Sequence, residues 1–126
     1  MKNILVAIDS CEATTIASPI LVKTLELASA FSSKVWLLHV VPPSRQPPFN
    51  LDSSTVRKEV AAEFHREHEF LQHLAQCFRD RRDDATALLV QGAIIKTILQ
   101  ESDRLDIDLE VLGCEKHSLL YGAIFD

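Results

Sequence analysis

Two short apolar runs, one helix-length apart, constrain this chain more than any other feature. Asn3-Ile4-Leu5-Val6-Ala7-Ile8-Asp9-Ser10 opens it, and Lys34-Val35-Trp36-Leu37-Leu38-His39-Val40-Val41-Pro42-Pro43 follows. Both are rich in β-branched residues and lack polar alternation, as a strand buried on both faces requires. A helix between them makes a βαβ unit, whose crossover is almost always right-handed. Asp9 then falls at the carboxyl end of the first strand, where open α/β sheets bind ligands.

The rest of the chain continues the alternation. Ser18-Pro19 reads as a helix start, a serine N-cap before proline at the first helical position. Ile20, Leu21, Thr24, Leu25, Leu27, Ala28 and Phe31 give that helix a broad apolar side, and Ser32-Ser33 ends it. The second strand runs from Lys34 to Val41. Four prolines between Pro42 and Pro48 then forbid regular structure. From about Ser54 to Arg79, Val56, Val60, Phe64, Leu71, Leu74 and Phe78 recur at the helical period. The third strand is Thr86 to Val90, closed by Gly92. Ile94, Ile95, Ile98 and Leu99 define a short helix reaching about Arg104, and Ile107 to Leu112 is the fourth strand, ending at Gly113. The order βαβαβαβ predicts a three-layer α/β/α sandwich around a mostly parallel, Rossmann-like sheet. Residues 1–126 read as a single domain, with no internal repeat.

Composition excludes several function classes. No apolar run approaches the roughly 18 residues of a membrane span, and the start lacks the pattern of a signal peptide. A formal net charge of -5 argues against a general nucleic-acid-binding surface. Cys11, Cys77 and Cys114 are odd in number and form no CxxC pair, which suits free thiols in a reducing cytoplasm.

Three segments together resemble the universal stress protein family: Ile4-Leu5-Val6-Ala7-Ile8-Asp9-Ser10, the strand end Leu37-Leu38-His39-Val40-Val41-Pro42, and Asp108-Leu109-Glu110-Val111-Leu112-Gly113. The likeness covers nearly the whole chain in the right order. It implies a sheet in the order 3-2-1-4-5, here 3-2-1-4 because the chain stops at Asp126 without a fifth strand. It also implies a homodimer and, in many members, ATP or AMP bound between strands one and four. Carried over, the resemblance places Asp9 on adenosine, after Ala7 and Ile8, and sets Val40 beside the adenine. The phosphates would lie on a loop of the form Gly-x2-Gly-x9-Gly-Ser/Thr that follows Leu112. Gly113 matches its first glycine, whereas Lys116 stands at the second and Asp126 at the third.

Those departures weaken the phosphate half. Glycines let backbone N–H groups turn inward towards a phosphate, and a lysine resists that geometry. Lys116 and His117 would instead offer flexible cationic contacts, and Asp126 would oppose phosphate charge. The expectation is a small stress-response or regulatory protein that binds ATP or AMP weakly, with no metal beyond Mg brought by the nucleotide. The alternative is an interaction module with a vestigial site, pairing through its fourth strand. An adenylate-dependent hydrolase ranks last, since no activated nucleophile, metal set or acid–base pair stands out.

Other residues have plainer readings. A phospho-acceptor aspartate at Asp9 would need a further aspartate ending the third strand, and Val90-Gln91-Gly92 offers none. Asp9 also suits a cap on the polar turn that follows it. His65, Glu69 and His73 share a helix face at a spacing that suits zinc or nickel. That face points away from the apolar stripe and reads as solvated. His39, inside an apolar strand, reads as a satisfied core histidine, and Cys114 as a small buried residue. Glu110 is unusual in a strand expected to be apolar on both faces, and is expected to face solvent because no final helix covers it.

Overall fold

Backbone pairing on both edges of the first strand organises the chain. The structure is a computed structural model that describes residues 1–9, 14–42 and 53–113. Its elements are β1 (Asn3–Ala7), α1 (Pro19–Phe31), β2 (Lys34–Val41), α2 (Ser53–Asp80), β3 (Ala85–Gln91), α3 (Ile94–Arg104) and β4 (Leu109–Leu112). The four strands form one parallel sheet in the order β3-β2-β1-β4. This is the expected Rossmann-like α/β fold.

The layers follow from the strand order. Going from β1 to β2 to β3, the chain moves one way along the sheet, so right-handed crossovers put α1 and α2 on one face. From β3 it returns past β1 to β4, and the same handedness puts α3 on the other face. Two apolar clusters record this. Ile4, Val6, Ile8, Val35 and Leu37 pack with Leu21, Leu25 and Ala28 of α1 and with Leu71, Leu74, Ala75 and Phe78 of α2. Leu5, Leu38 and Val40 pack on the opposite face with Trp36, Leu88, Val90, Ile98 and Ile107.

Local structure departs from the sequence reading in four places. Ser18 occupies the N-cap position, but its hydroxyl makes no cap bond and accepts instead from the Thr15 N–H at 2.9 Å. Phe31, expected on the apolar side of α1, is exposed. On α3 the inward residues are Thr97 and Ile98, while Ile94, Ile95 and Leu99 are exposed. The turn before Thr97 explains this: a Cβ on Gly92 would lie 2.5 Å from the Thr97 hydroxyl oxygen, so the helix is seated on a glycine. Finally, β4 starts at Leu109 rather than Ile107. The preceding residues are taken up by a turn in which Asp106 is left-handed (φ 52°) and Ile107 N–H donates to the Ser102 carbonyl at 3.0 Å.

Asp108 fastens the start of β4 to the start of β1. Its Oδ2 accepts from the backbone N–H groups of Lys2 at 2.7 Å and Asn3 at 2.9 Å, and its own N–H donates to the Asn3 carbonyl at 2.9 Å. These two donors, Asn3 first and Lys2 second, hold the Asp108 carboxyl below the usual carboxylate range.

Two outcomes are expected. A group whose acidity is strengthened by folding contributes stability above its unfolded pKa and loses it as pH falls through the folded value. Wild type should therefore be more stable than Asp108→Asn at neutral pH, and the gap should close below about pH 4, as read by melting curves across pH. Gly92→Ala forces the Thr97 contact apart and should lower stability by about 1–3 kcal/mol, measured by urea unfolding.

Candidate functional site

The strand order reverses between β1 and β4, and the carboxyl ends at such a reversal are where open α/β sheets bind ligands. The chain leaves β1 towards one side of the sheet and reaches β4 from the other, so no crossover covers the gap between them. Register places Ala7 opposite Leu112 on one edge of β1 and opposite Leu38 on the other. Ile8 extends the pairing, its N–H donating to the Leu38 carbonyl at 2.8 Å. Asp9 follows as an exposed carboxylate just past the strand end. Gly113 follows Leu112 on the neighbouring strand and faces the first turn of α1, where an added Cβ would lie 3.3 Å from Ile20 Cδ1.

The structure thus brings Ala7, Ile8, Asp9, Leu112 and Gly113 to adjacent strand ends, with Val40 on the next strand. They differ in what they can offer. Ile8 and Val40 are buried, and the Val40 side chain belongs to the apolar cluster on the α3 face. Val40 can form an apolar wall but no polar contact through its side chain. Leu112 is exposed and apolar, Gly113 presents bare backbone, and Asp9 supplies acceptors for hydroxyl or amino donors. Lys116, His117 and Asp126 lie outside the described residues, as do Cys11 and Cys114. The segments that leave the ends of β1, β2 and β4, residues 10–13, 43–52 and from 114 onward, are outside them too.

Two open cavities of the described residues lie away from the carboxyl ends. One of about 590 Å3 sits at the amino ends of β1 and β2, between Lys2, Lys34 and Arg82–Asp84. A second, about 700 Å3, runs beside α1 from Ile16 to Ser29, against Arg81 and Asp83. Neither reaches Asp9 or Gly113.

His39 is a buried core histidine, as its apolar setting implied, and it is hydrogen-bonded through one ring nitrogen. Its Nδ1 lies 2.6 Å from the Ile8 carbonyl oxygen, and its Nε2 lies 3.5 Å from Glu67 Oε2 on α2. Sequence reading missed Glu67. Its signal was present, because Glu67 falls between Phe64 and Leu71 on the inward stripe of α2, where an apolar residue is the rule.

The remaining candidates fall on the surface. His65 and Glu69 form an exposed pair at 3.0 Å, and His73 Nε2 lies 3.9 Å from Cys77 Sγ one turn further on. Among the described residues no three such groups converge on a metal position. Glu110 is exposed as expected, and β4 shows why. Leu109 and Val111 pack towards α1, while Glu110 and Leu112 point to the other face, where α3 lies over β2 rather than β4. No described helix is long and apolar enough to cross a membrane.

Comparison with known proteins agrees with this architecture. The sequence model of the universal stress protein family matches residues 1–126. No curated protein matches by sequence. Among solved structures, a universal stress protein family member from Burkholderia pseudomallei is similar with a TM-score of 0.69 and 22% identity, over 97% of this chain and 89% of that one. The universal stress protein UspA from Lactobacillus plantarum gives 0.72 and 21%, over 94% and 81%. The universal stress protein from Archaeoglobus fulgidus in complex with dAMP gives 0.61 and 17%, over 98% and 86%. At these identities the structural likeness is one of fold.

Proposed function

We propose an adenine-nucleotide-binding regulatory role for this chain, which belongs to the universal stress protein family. One observation carries the reading: Asp9 and Gly113 stand at the adjacent carboxyl ends of β1 and β4, at the reversal of strand order. Solved family structures similar to this chain hold dAMP, cAMP and AMP. The described residues suit the adenosine part of such a ligand. Asp9 accepts hydrogen bonds from ribose hydroxyls or the base amino group, Val40 forms an apolar wall on the α3 face, and Leu112 covers one side. Gly113 lets the ligand approach the backbone of the β4 end, beside Ile20. Lys116 supplies charge to a phosphate in place of a glycine. The role is binding in the cytoplasm, with at most weak ATP turnover and Mg arriving with the nucleotide.

A second reading, an interaction module that forms a homodimer, is favoured by a different observation. Ile94, Ile95 and Leu99 of α3 are exposed together, Ile95 by 61%, and Leu112 of β4 is exposed by 52%. Apolar side chains grouped in this way mark contact surfaces more often than isolated ones do.

A ligand that binds only the folded state raises the melting temperature by mass action, by about 2.7 kcal/mol of stability at a hundredfold excess over Kd. Millimolar AMP or ATP should therefore shift the melt upward by several degrees, and Asp9→Ala should remove most of that shift. An unchanged melt in both proteins would refute nucleotide binding. Under the second reading, sedimentation should show a concentration-dependent dimer that Leu99→Glu disperses.

A further inference from the structure

We infer that His39 and Glu67 form a proton-dependent latch that positions the Ile8 carbonyl and so tunes the affinity of the nucleotide site. The effect on affinity rests on the reading above; the latch does not.

The argument starts from which atoms can carry hydrogen. A carbonyl oxygen only accepts, so at 2.6 Å from the Ile8 oxygen His39 Nδ1 must be the donor. In a neutral ring that leaves Nε2 with a lone pair and no proton. Nε2 faces Glu67 Oε2 at 3.5 Å, and this oxygen is buried with no hydrogen-bond partner. An ionised carboxylate against a bare ring nitrogen puts two acceptors face to face at a buried oxygen of a side chain that is otherwise 24% exposed, which is unfavourable. One further proton resolves the conflict. On Nε2 it makes an imidazolium that donates to both Ile8 and Glu67; on Glu67 it makes a donor to Nε2.

Among the described residues no other charge is placed to substitute. Strands β1 and β3, which flank β2, carry no titratable side chain. On α1, Lys23 and Glu26 are exposed and pair with each other at 3.3 Å. On α2, Glu63, Arg66 and His68 flank Glu67, but Glu63 and Arg66 are exposed and His68 is hydrogen-bonded to Gln72. Asp9 lies one residue beyond Ile8 and is exposed.

The position of the latch makes it consequential. Ile8 is held on both sides, its N–H by Leu38 and its carbonyl by His39, directly before Asp9. With the extra proton, α2 is pinned to β2 and the Ile8 carbonyl is fixed. Without it, the one N–H of the neutral ring must serve either the Ile8 carbonyl or Glu67 but not both, so the ring is held from one side only and the backbone leading to Asp9 loosens. His39 and Glu67 are positioning residues, acting through Ile8 rather than on the ligand.

The test compares wild type with Glu67→Gln, whose amide N–H donates to a neutral Nε2 and closes the latch at any pH. His39→Asn, whose amide replaces Nδ1 alone, serves as the second variant. The first measurement uses no nucleotide: melting temperature between about pH 6 and pH 8, where histidine ordinarily titrates. Wild type should lose stability relative to Glu67→Gln as pH rises, and His39→Asn should lack that slope. A wild-type-minus-variant difference that is flat with pH overturns the latch, whatever the nucleotide does. The second measurement is AMP affinity by calorimetry. Wild type should bind about fivefold more tightly at the lower pH, and Glu67→Gln equally at both. A sloping melt with pH-independent affinity would overturn the coupling to the site. A sloping melt with no AMP binding at any pH would refute the nucleotide reading and leave the latch standing.

Discussion

Strand β1 has no free edge and no free face. Its backbone is paired to β2 on one side and β4 on the other, and Ile4, Leu5 and Val6 are wholly buried. Both conditions must hold together. A strand paired on both edges presents one set of side chains to each face of the sheet, so helices have to cover both. Right-handed crossovers then leave no freedom in where the helices go: α1 and α2 on one face, α3 on the other. The switch point beside Asp9 is a by-product of the same constraint, since the strand that starts the chain is also where the winding reverses.

Covering both faces at β1 does not extend to β4. There the side chains alternate, with Leu109 and Val111 against α1 and with Glu110 and Leu112 exposed. The reason is the position of α3, which leans on β2 and is seated by the contact between Gly92 and Thr97. Asp108 compensates at the other end of the strand. Two backbone N–H groups of the β1 start converge on its carboxylate, so a four-residue strand is anchored by a side chain as well as by its ladder.

Much of this was legible in the sequence. Unbroken apolar runs located β1 and β2 to within a residue or two, because burial on both faces leaves no room for alternation. Proline and serine punctuation located the ends of α1. Asp9 and Gly113 stood out as polar or bare positions directly after strands. That β4 lies beside β1 came from the resemblance to a family, since periodicity says nothing about which strand is whose neighbour. The sequence located α3 but not its inward face, because Ile94 and Ile95 look like core, yet a threonine that fits over a glycine takes the buried place. Glu67 was overlooked because a charge on an apolar stripe is informative only when its partner on another element is known.

The sequence by itself determined the elements, their order and the residues that end the strands. These depend on local periodicity and on backbone restrictions at proline and turn positions, which act over a few residues. The tertiary structure alone decided which side chains meet. The Ile8 carbonyl, His39 and Glu67 come from β1, β2 and α2, and Asp108 reaches the amides of Lys2 and Asn3 across the length of the chain. Such contacts are set by strand register and helix packing, which fix distances between residues far apart in sequence. The chemistry of the site rests on them.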